Sequence, residues 1–98
     1  MKSQIVIVTE DGLSKPHFCC QHCGKVIKDA SEANLVWDYD TPDQTTVICK
    51  SSLCEREQER HQGGDCWQPL EATWHYLKNN SGINEKQARD TAGILASL

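Results

Sequence analysis

Four cysteines in two pairs constrain this chain more than any other feature of its sequence. Cys20 and Cys23 are separated by two residues, and Cys49 and Cys54 are separated by four. Thiolates at such spacings bind zinc tetrahedrally when the fold brings the two pairs together. Gly24 follows the first pair directly, where a tight turn favours a residue that tolerates positive φ. The spacing predicts one structural Zn²⁺ bound by the four cysteines.

The size of the chain makes such a metal useful to folding. With 98 residues, of which 38% are apolar, the chain is expected to form one domain, or a small zinc module with a helical tail, and its core is marginal. A structural zinc contributes on the order of 10–16 kcal/mol of apparent binding energy in small peptides, and this becomes folding energy. The formal net charge of −4 does not favour attraction of the whole chain to phosphate backbones.

The cysteines also indicate the cellular compartment of the protein. The N-terminus shows no signal-peptide pattern, and no stretch approaches the roughly 20 apolar residues of a membrane span. Six cysteines without a secretion signal favour reduced thiols and metal binding over disulfides. We therefore expect a cytoplasmic protein that does not associate with a membrane.

The first half of the chain predicts a β-rich unit. Residues 5–9 are all β-branched and predict a strand, either covered within the domain's own sheet or paired with another chain. Residues 13–18 contain a proline and are interpreted as a loop. Residues 34–40 alternate, which places Leu35, Trp37 and Tyr39 on one buried face. Residues 45–48 should pair antiparallel with that strand.

Helices are expected in the second half. Ser52 and Glu55 have capping-box spacing, which places Cys54 in the first turn of a short helix that ends at residues 62–64. A second helix is predicted from the apolar stripe of Trp67, Leu70, Trp74 and Leu77, and it should stop at residues 79–82. The last helix should begin at Asn84, with Ala88, Ala92 and Leu95 on one face.

A knuckle at residues 20–24, a hairpin and a helix that supplies a ligand from its first turn resemble the plan of a treble-clef zinc finger. The chain is also similar to small bacterial zinc-finger proteins. The positions that carry this resemblance are Phe18, Cys20, Cys23, Gly24, Trp37, Cys49, Lys50 and Cys54. The resemblance implies a metal-binding fold and supplies no reaction or substrate. The spacing of the second cysteine pair is longer than in an idealised finger, so Cys49 matches the pattern least well.

The expected fold is therefore α+β: a treble-clef-like finger with an antiparallel β-hairpin, followed by a C-terminal helical hairpin. Residues 1–64 would form the finger, and residues 65–98 would form a two-helix segment packed on it. Four protein ligands fill a tetrahedral shell and leave no open position on the metal. No catalytic motif or phosphate-binding loop is present in the sequence. We expect a non-catalytic protein-interaction or regulatory module without a small-molecule substrate.

Two surfaces are candidates for binding a partner. The stripe of Trp67, Leu70, Trp74 and Leu77 and the strand at residues 5–8 could contact a protein partner or a second copy in a homodimer. In the alternative interpretation, both surfaces pack on the finger or on each other within the same chain.

Nucleic-acid binding is the alternative function. It would use a basic-aromatic patch around the knuckle, formed by Lys15, His17, Phe18, Lys25 and Lys28. In the competing interpretation Phe18 packs over the metal site and the lysines are merely solvated.

Several cysteines and histidines keep more than one interpretation. Cys19 is adjacent to Cys20 and could substitute for it, although its gap to Cys23 fits a tight turn less well. His61 could replace a cysteine ligand. Cys66 is either a buried filler or a free thiol, and His22, inside the knuckle, is expected to point to solvent.

Overall fold

The computed structural model describes residues 4–61 and 66–98, with the side chains of residues 59–61 outside that description. The fold is mixed α+β with antiparallel sheets. Its elements are β1 (Ile5–Glu10), β2 (Leu13–Phe18), a 3₁₀ helix (Ala30–Glu32), β3 (Ala33–Asp38), β4 (Thr41–Cys49), α1 (Ser52–His61), β5 (Cys66–Pro69), α2 (Leu70–Asn80) and α3 (Glu85–Ala96). One sheet contains β1 and β2, and the other has the order β4-β3-β5.

The first sheet is a β-hairpin, which confirms the strand predicted at residues 5–9 and corrects the loop predicted at residues 13–18. Glu10 pairs with Leu13 across a two-residue turn. Asp11 and Gly12 in that turn have φ values of 51° and 79°. Positive φ at both central residues defines the turn whose twist matches two antiparallel strands, and Asp-Gly is one of its preferred sequences. The Asp-Gly pair therefore indicates a hairpin whose second strand is β2, whereas Pro16 favours a loop at that position.

The second sheet is centred on β3. Residues 45–48 pair antiparallel with β3 as predicted, from Ala33 opposite Cys49 to Trp37 opposite Thr45. The predicted buried face is wrong, because Val36 is buried whereas Leu35 and Trp37 are only half-buried and Tyr39 is exposed. Strands on both sides of β3, together with the helices, cover it unevenly, so simple alternation does not describe its burial.

The predicted helical stripe is wrong at its first member. Trp67 lies in β5, which pairs with β3 from Asn34 opposite Pro69 to Trp37 opposite Cys66. The helix begins only at Leu70, directly after Pro69. In β5 the backbone groups of residues 66–69 form hydrogen bonds with β3. An additional turn of α2 would have bonded the same groups within the helix, so the pairing with β3 takes its place.

The C-terminal end of α2 and the start of α3 are where the sequence predicts them. α2 ends before Gly82, which has a φ of +67°, and the N–H of Ile83 donates to the carbonyl of Lys78 at 3.0 Å. This is the hydrogen bond of a glycine-terminated helix. α3 begins after Asn84, whose side chain accepts from the N–H of Gln87.

The core lies between the β4-β3-β5 sheet, the knuckle and the start of α2. Its buried residues are Cys20, Ile27, Ala33, Val36, Val47, Ile48, Cys49, Cys54 and Leu70. α2 reaches this core through Leu70 and also buries Thr73. Every residue from 79 to 98, including all of α3, is exposed. The predicted division at residue 64 stays a prediction, although β5 joins the sheet of the preceding segment.

No helix within residues 4–61 and 66–98 is both long enough and apolar enough to cross a membrane.

Leu70 and Leu77 provide a matched test of this packing, since they lie on one helix with exposures of 2% and 46%. We expect Leu70→Ala to lower the free energy of unfolding by about 3 kcal/mol, because truncation loses apolar burial and leaves a cavity. Leu77→Ala should cost below about 1 kcal/mol. Urea unfolding of the two variants and the wild-type protein in the same buffer measures both. Equal losses would contradict the assignment of Leu70 to the core.

Candidate metal centre

Four cysteine sulphur atoms lie together at one end of the β3–β4 pair. The Sγ atoms of Cys20, Cys23, Cys49 and Cys54 are all within 4.8 Å of one another. The Sγ atoms of Cys23 and Cys49 are 3.8 Å apart. Zinc–sulphur bonds of about 2.3 Å in a regular tetrahedron require sulphur–sulphur distances of about 3.8 Å. The cluster is therefore close enough to hold one metal ion.

The first two sulphur atoms are positioned by a tight backbone turn. The N–H of Cys20 donates to the carbonyl of Lys25, and the N–H of Gly24 donates to the carbonyl of Cys20, both at 2.8 Å. Gly24 has a φ of +77°, as the sequence predicts for the residue after the pair. These bonds close the knuckle and turn both thiols to the same side.

The other two sulphur atoms come from the end of a strand and the start of a helix. Cys49 is the last residue of β4, and Cys54 is the third residue of α1. The first-turn position predicted for Cys54 is confirmed. Helix N-termini carry unpaired N–H groups and a partial positive charge, which favour a thiolate there.

Ser51, a residue that the sequence analysis missed, caps this helix. Its Oγ accepts a hydrogen bond from the N–H of Cys54 at 3.3 Å, and the carbonyl of Ser51 accepts from the N–H of Glu55. The capping residue is thus Ser51, one position before the predicted Ser52. Ser51 Oγ also lies 3.4 Å from Cys49 Sγ. Because the Ser51 oxygen accepts from the Cys54 N–H, its hydroxyl proton remains available to donate to a Cys49 thiolate.

Electrostatics distinguish the four thiols. Burial acts to raise the pKa of Cys20, but backbone hydrogen bonds from the knuckle and from Cys49 outweigh it and lower that pKa to about 6. Burial likewise opposes ionisation of Cys49, whereas the hydroxyl and N–H of Ser51 lower its pKa overall. These backbone and hydroxyl donors are oriented to stabilise negative charge on sulphur.

The other two thiols resist ionisation. The Lys25 N–H acts to lower the pKa of Cys23, but desolvation of the thiol and the neighbouring Cys20 and Cys49 sulphur atoms raise it overall. Burial, with the adjacent sulphur atoms, raises the pKa of Cys54 to about 12. Four negative charges within a few ångströms repel one another strongly. A divalent cation among them would compensate that repulsion and favour all four thiolates.

His22 connects the knuckle to α1. Its Nε2 lies 2.7 Å from Oε1 of Gln58, which is buried. The prediction that His22 points to solvent is therefore wrong. Since the amide oxygen accepts, the histidine donates in this arrangement. The bond holds the segment with the first cysteine pair against the helix that carries Cys54, and no local sequence signal joins residues so far apart.

The alternative ligands lie outside the cluster or outside the described residues. Cys19 is buried, but it is not one of the four clustered cysteines. Cys66 pairs with Trp37, four residues along β3 from the Ala33–Cys49 pair, or roughly 13 Å at strand spacing. The side chain of His61 is outside the described residues. All six cysteines are free of disulfides.

The basic-aromatic patch does not form one uniform surface. Phe18 is half-buried and packs against the core. Lys25 Nζ lies 3.5 Å from a carboxylate oxygen of Glu32. Lys15 and Lys28 are exposed, and His17 is half-buried. The nucleic-acid role stays a prediction, and these contacts do not strengthen it.

Comparison of the chain with protein-family models, with curated proteins and with solved structures gave no match. The resemblance to treble-clef fingers therefore remains a prediction from the residues.

Ser51 and Ser52 form a natural pair for testing the cap. We expect Ser51→Ala to weaken zinc binding about tenfold, since it removes a hydrogen bond to a ligand, and to cost about 1 kcal/mol of stability. Ser52→Ala should change both quantities little. Competition for zinc with a chromophoric chelator, followed by urea unfolding, measures the two effects. A larger effect of Ser52→Ala would contradict the assignment of the cap.

Proposed function

We propose that this is a non-catalytic zinc-binding protein whose four clustered cysteines hold one structural Zn²⁺. The observation that carries the proposal is the convergence of four sulphur atoms within 4.8 Å from three separate segments of the chain. Thiolates gathered in this way repel one another, and a bound metal ion would offset that repulsion.

The donor set supports zinc. Four soft thiolates in tetrahedral arrangement are characteristic of zinc or iron–sulphur chemistry, and the cluster matches the size of a mononuclear site. Such a metal would stabilise the junction of the knuckle, β4 and α1. That order of ligand-bearing elements supports our assignment to a treble-clef-like finger. Thiolate ligands must stay reduced, which supports a cytoplasmic location.

The closed ligand set supports a non-catalytic role. Catalytic zinc sites use three protein ligands and keep one position for water or substrate. In this chain Cys20, Cys49 and Cys54 are buried and only Cys23 is exposed. Four cysteine ligands would fill the shell and leave no position at which the metal could activate a water molecule.

We further propose that the protein acts through contacts with another protein chain. Among the four residues of the predicted stripe, Leu70 is buried within the chain, while Trp67, Trp74 and Leu77 are exposed. Tryptophan side chains are common anchors of protein interfaces. The exposed members therefore support an interaction role, whereas Leu70 serves the core.

The metal assignment is tested by Cys23→Ser and Cys66→Ser. The first removes a proposed ligand and should abolish stoichiometric zinc binding, with loss of the folded knuckle. The second removes a thiol that lies outside the cluster and should retain one zinc per chain. Native mass spectrometry of proteins purified without added metal measures the stoichiometry, and circular dichroism reports folding. A stable Cys23→Ser protein with a full zinc complement would disprove the ligand set.

A further inference from the structure

The β1–β2 hairpin has one open edge. β1 pairs with β2 on one side, and no other strand of the described residues pairs with it. An isolated two-stranded hairpin is marginally stable in water, and a third strand is usually needed. The free edge of β1 is therefore a site at which an additional strand would stabilise the fold.

The register identifies the backbone groups at this edge. The N–H of Cys19 donates to the carbonyl of Gln4 at 2.9 Å, so Gln4 bonds inward, toward the second strand. Inward and outward bonding alternate along an antiparallel strand. Val6, Val8 and Glu10 thus bond to β2, and the N–H and C=O groups of Ile5, Ile7 and Thr9 face outward.

The outer edge of β2 is different, because it is already blocked. The carbonyl of Phe18 accepts from the N–H of Ile27 at 2.8 Å. Pro16 pairs with Ile7, so its backbone also faces outward, and proline has no N–H to donate. Proline and lysine are common devices against strand addition at sheet edges, and Lys15 is adjacent. The hairpin is protected on one side only.

Nothing comparable protects β1 within the part of the chain that the structure describes. Residues 5–9 contain no charge and no proline, and the side chains of Ile5 and Ile7 are more than half exposed. These two side chains share a face with Pro16 and Phe18, their partners on β2. An added strand at β1 would extend an apolar face while pairing the outward backbone groups.

We propose that β1 is a dimerisation strand, which pairs antiparallel with β1 of a second copy about a two-fold axis at Ile7. In this register Ile7 faces Ile7 of the partner copy, and Ile5 faces Thr9 on both sides of the axis. Each of these pairs joins two outward-facing residues and exchanges two hydrogen bonds. The outward-facing N–H and C=O groups of residues 5, 7 and 9 in each copy are then hydrogen-bonded to the same groups of the other copy. The two hairpins form a four-stranded sheet.

Charge placement supports a second copy in this orientation. Glu10 and Asp11 lie at the tip of the hairpin. Antiparallel pairing about Ile7 sets Glu10 opposite the uncharged Gln4 and keeps the two acidic tips at opposite ends. Parallel pairing would place the acidic tips of both copies side by side, and like charges on neighbouring strands are destabilising.

This inference deepens the proposed interaction role and rests on it, since it names the partner as a second copy of this chain. It does not depend on the metal. Zinc content and oligomeric state are separate readouts, so the two proposals can fail independently.

The first test compares Ile7→Lys with Ile94→Lys by sedimentation velocity over a concentration series of the zinc-saturated full chain. Both residues are isoleucines with 63% exposure, but Ile94 lies on α3. The wild-type protein should form dimers. Ile7→Lys should weaken dimerisation at least about tenfold, because two lysines would face each other at the axis. Ile94→Lys should dimerise like the wild type.

The second test uses cross-linking, with Ile7→Cys and Thr9→Cys compared in a Cys66→Ser background. The proposed register places the two copies of residue 7 about 5.5 Å apart at Cα, within disulfide range. The two copies of residue 9 would be about 14 Å apart. Oxidised glutathione should cross-link the Ile7→Cys dimer and not the Thr9→Cys dimer. Non-reducing electrophoresis measures this difference.

The outcomes separate the proposals. A zinc-bound wild-type monomer throughout the series would overturn the β1 dimer and leave the metal assignment intact. A dimer that Ile7→Lys does not weaken, or one cross-linked equally through residues 7 and 9, would also overturn it. A dimer without zinc would overturn the metal assignment alone. A dimer weakened by Ile7→Lys and cross-linked selectively through residue 7 would establish the strand and its register.

Discussion

The gathering of four thiols in a small space is the constraint on which the rest of the structure depends. Three of them, Cys20, Cys49 and Cys54, are part of the buried core. Their side chains contribute apolar packing, but their ionised forms repel one another unless a cation lies between them. A core of this size gains little from apolar burial alone. Compensation of that charge by the metal we propose would therefore hold the knuckle, β4 and α1 together more firmly.

The surrounding hydrogen bonds explain how separate segments converge on this point. The β3–β4 register places Cys49 beside Ala33, and Ser51 then orients the start of α1 so that Cys54 faces back toward the strand end. The His22–Gln58 hydrogen bond joins the knuckle to the same helix. These polar contacts set the relative positions of the ligands, because apolar packing by itself is not directional.

The apolar surface of the chain is divided unevenly around this centre. The β4-β3-β5 sheet and Leu70 of α2 belong to the core, whereas the outer edge of β1 and all of α3 contribute nothing to it. An edge strand with unprotected backbone groups is open to pairing with another chain. In the arrangement we propose, the half that contains the four cysteines would provide stability, and the hairpin would provide a surface for association.

The sequence by itself determined the features that depend on neighbouring residues. The cysteine spacing and Gly24 indicate the knuckle, and Asn84 and Gly82 mark helix ends, because turns and caps are set by local backbone conformation. Asp11-Gly12 carried the same kind of local information about the first hairpin, although Pro16 led to the wrong interpretation. Tertiary structure alone decided that Trp67 joins a strand, since its spacing to Leu70 also fits a helix. It also paired His22 with Gln58. Such choices depend on backbone and side-chain partners distant in sequence, which periodicity does not report.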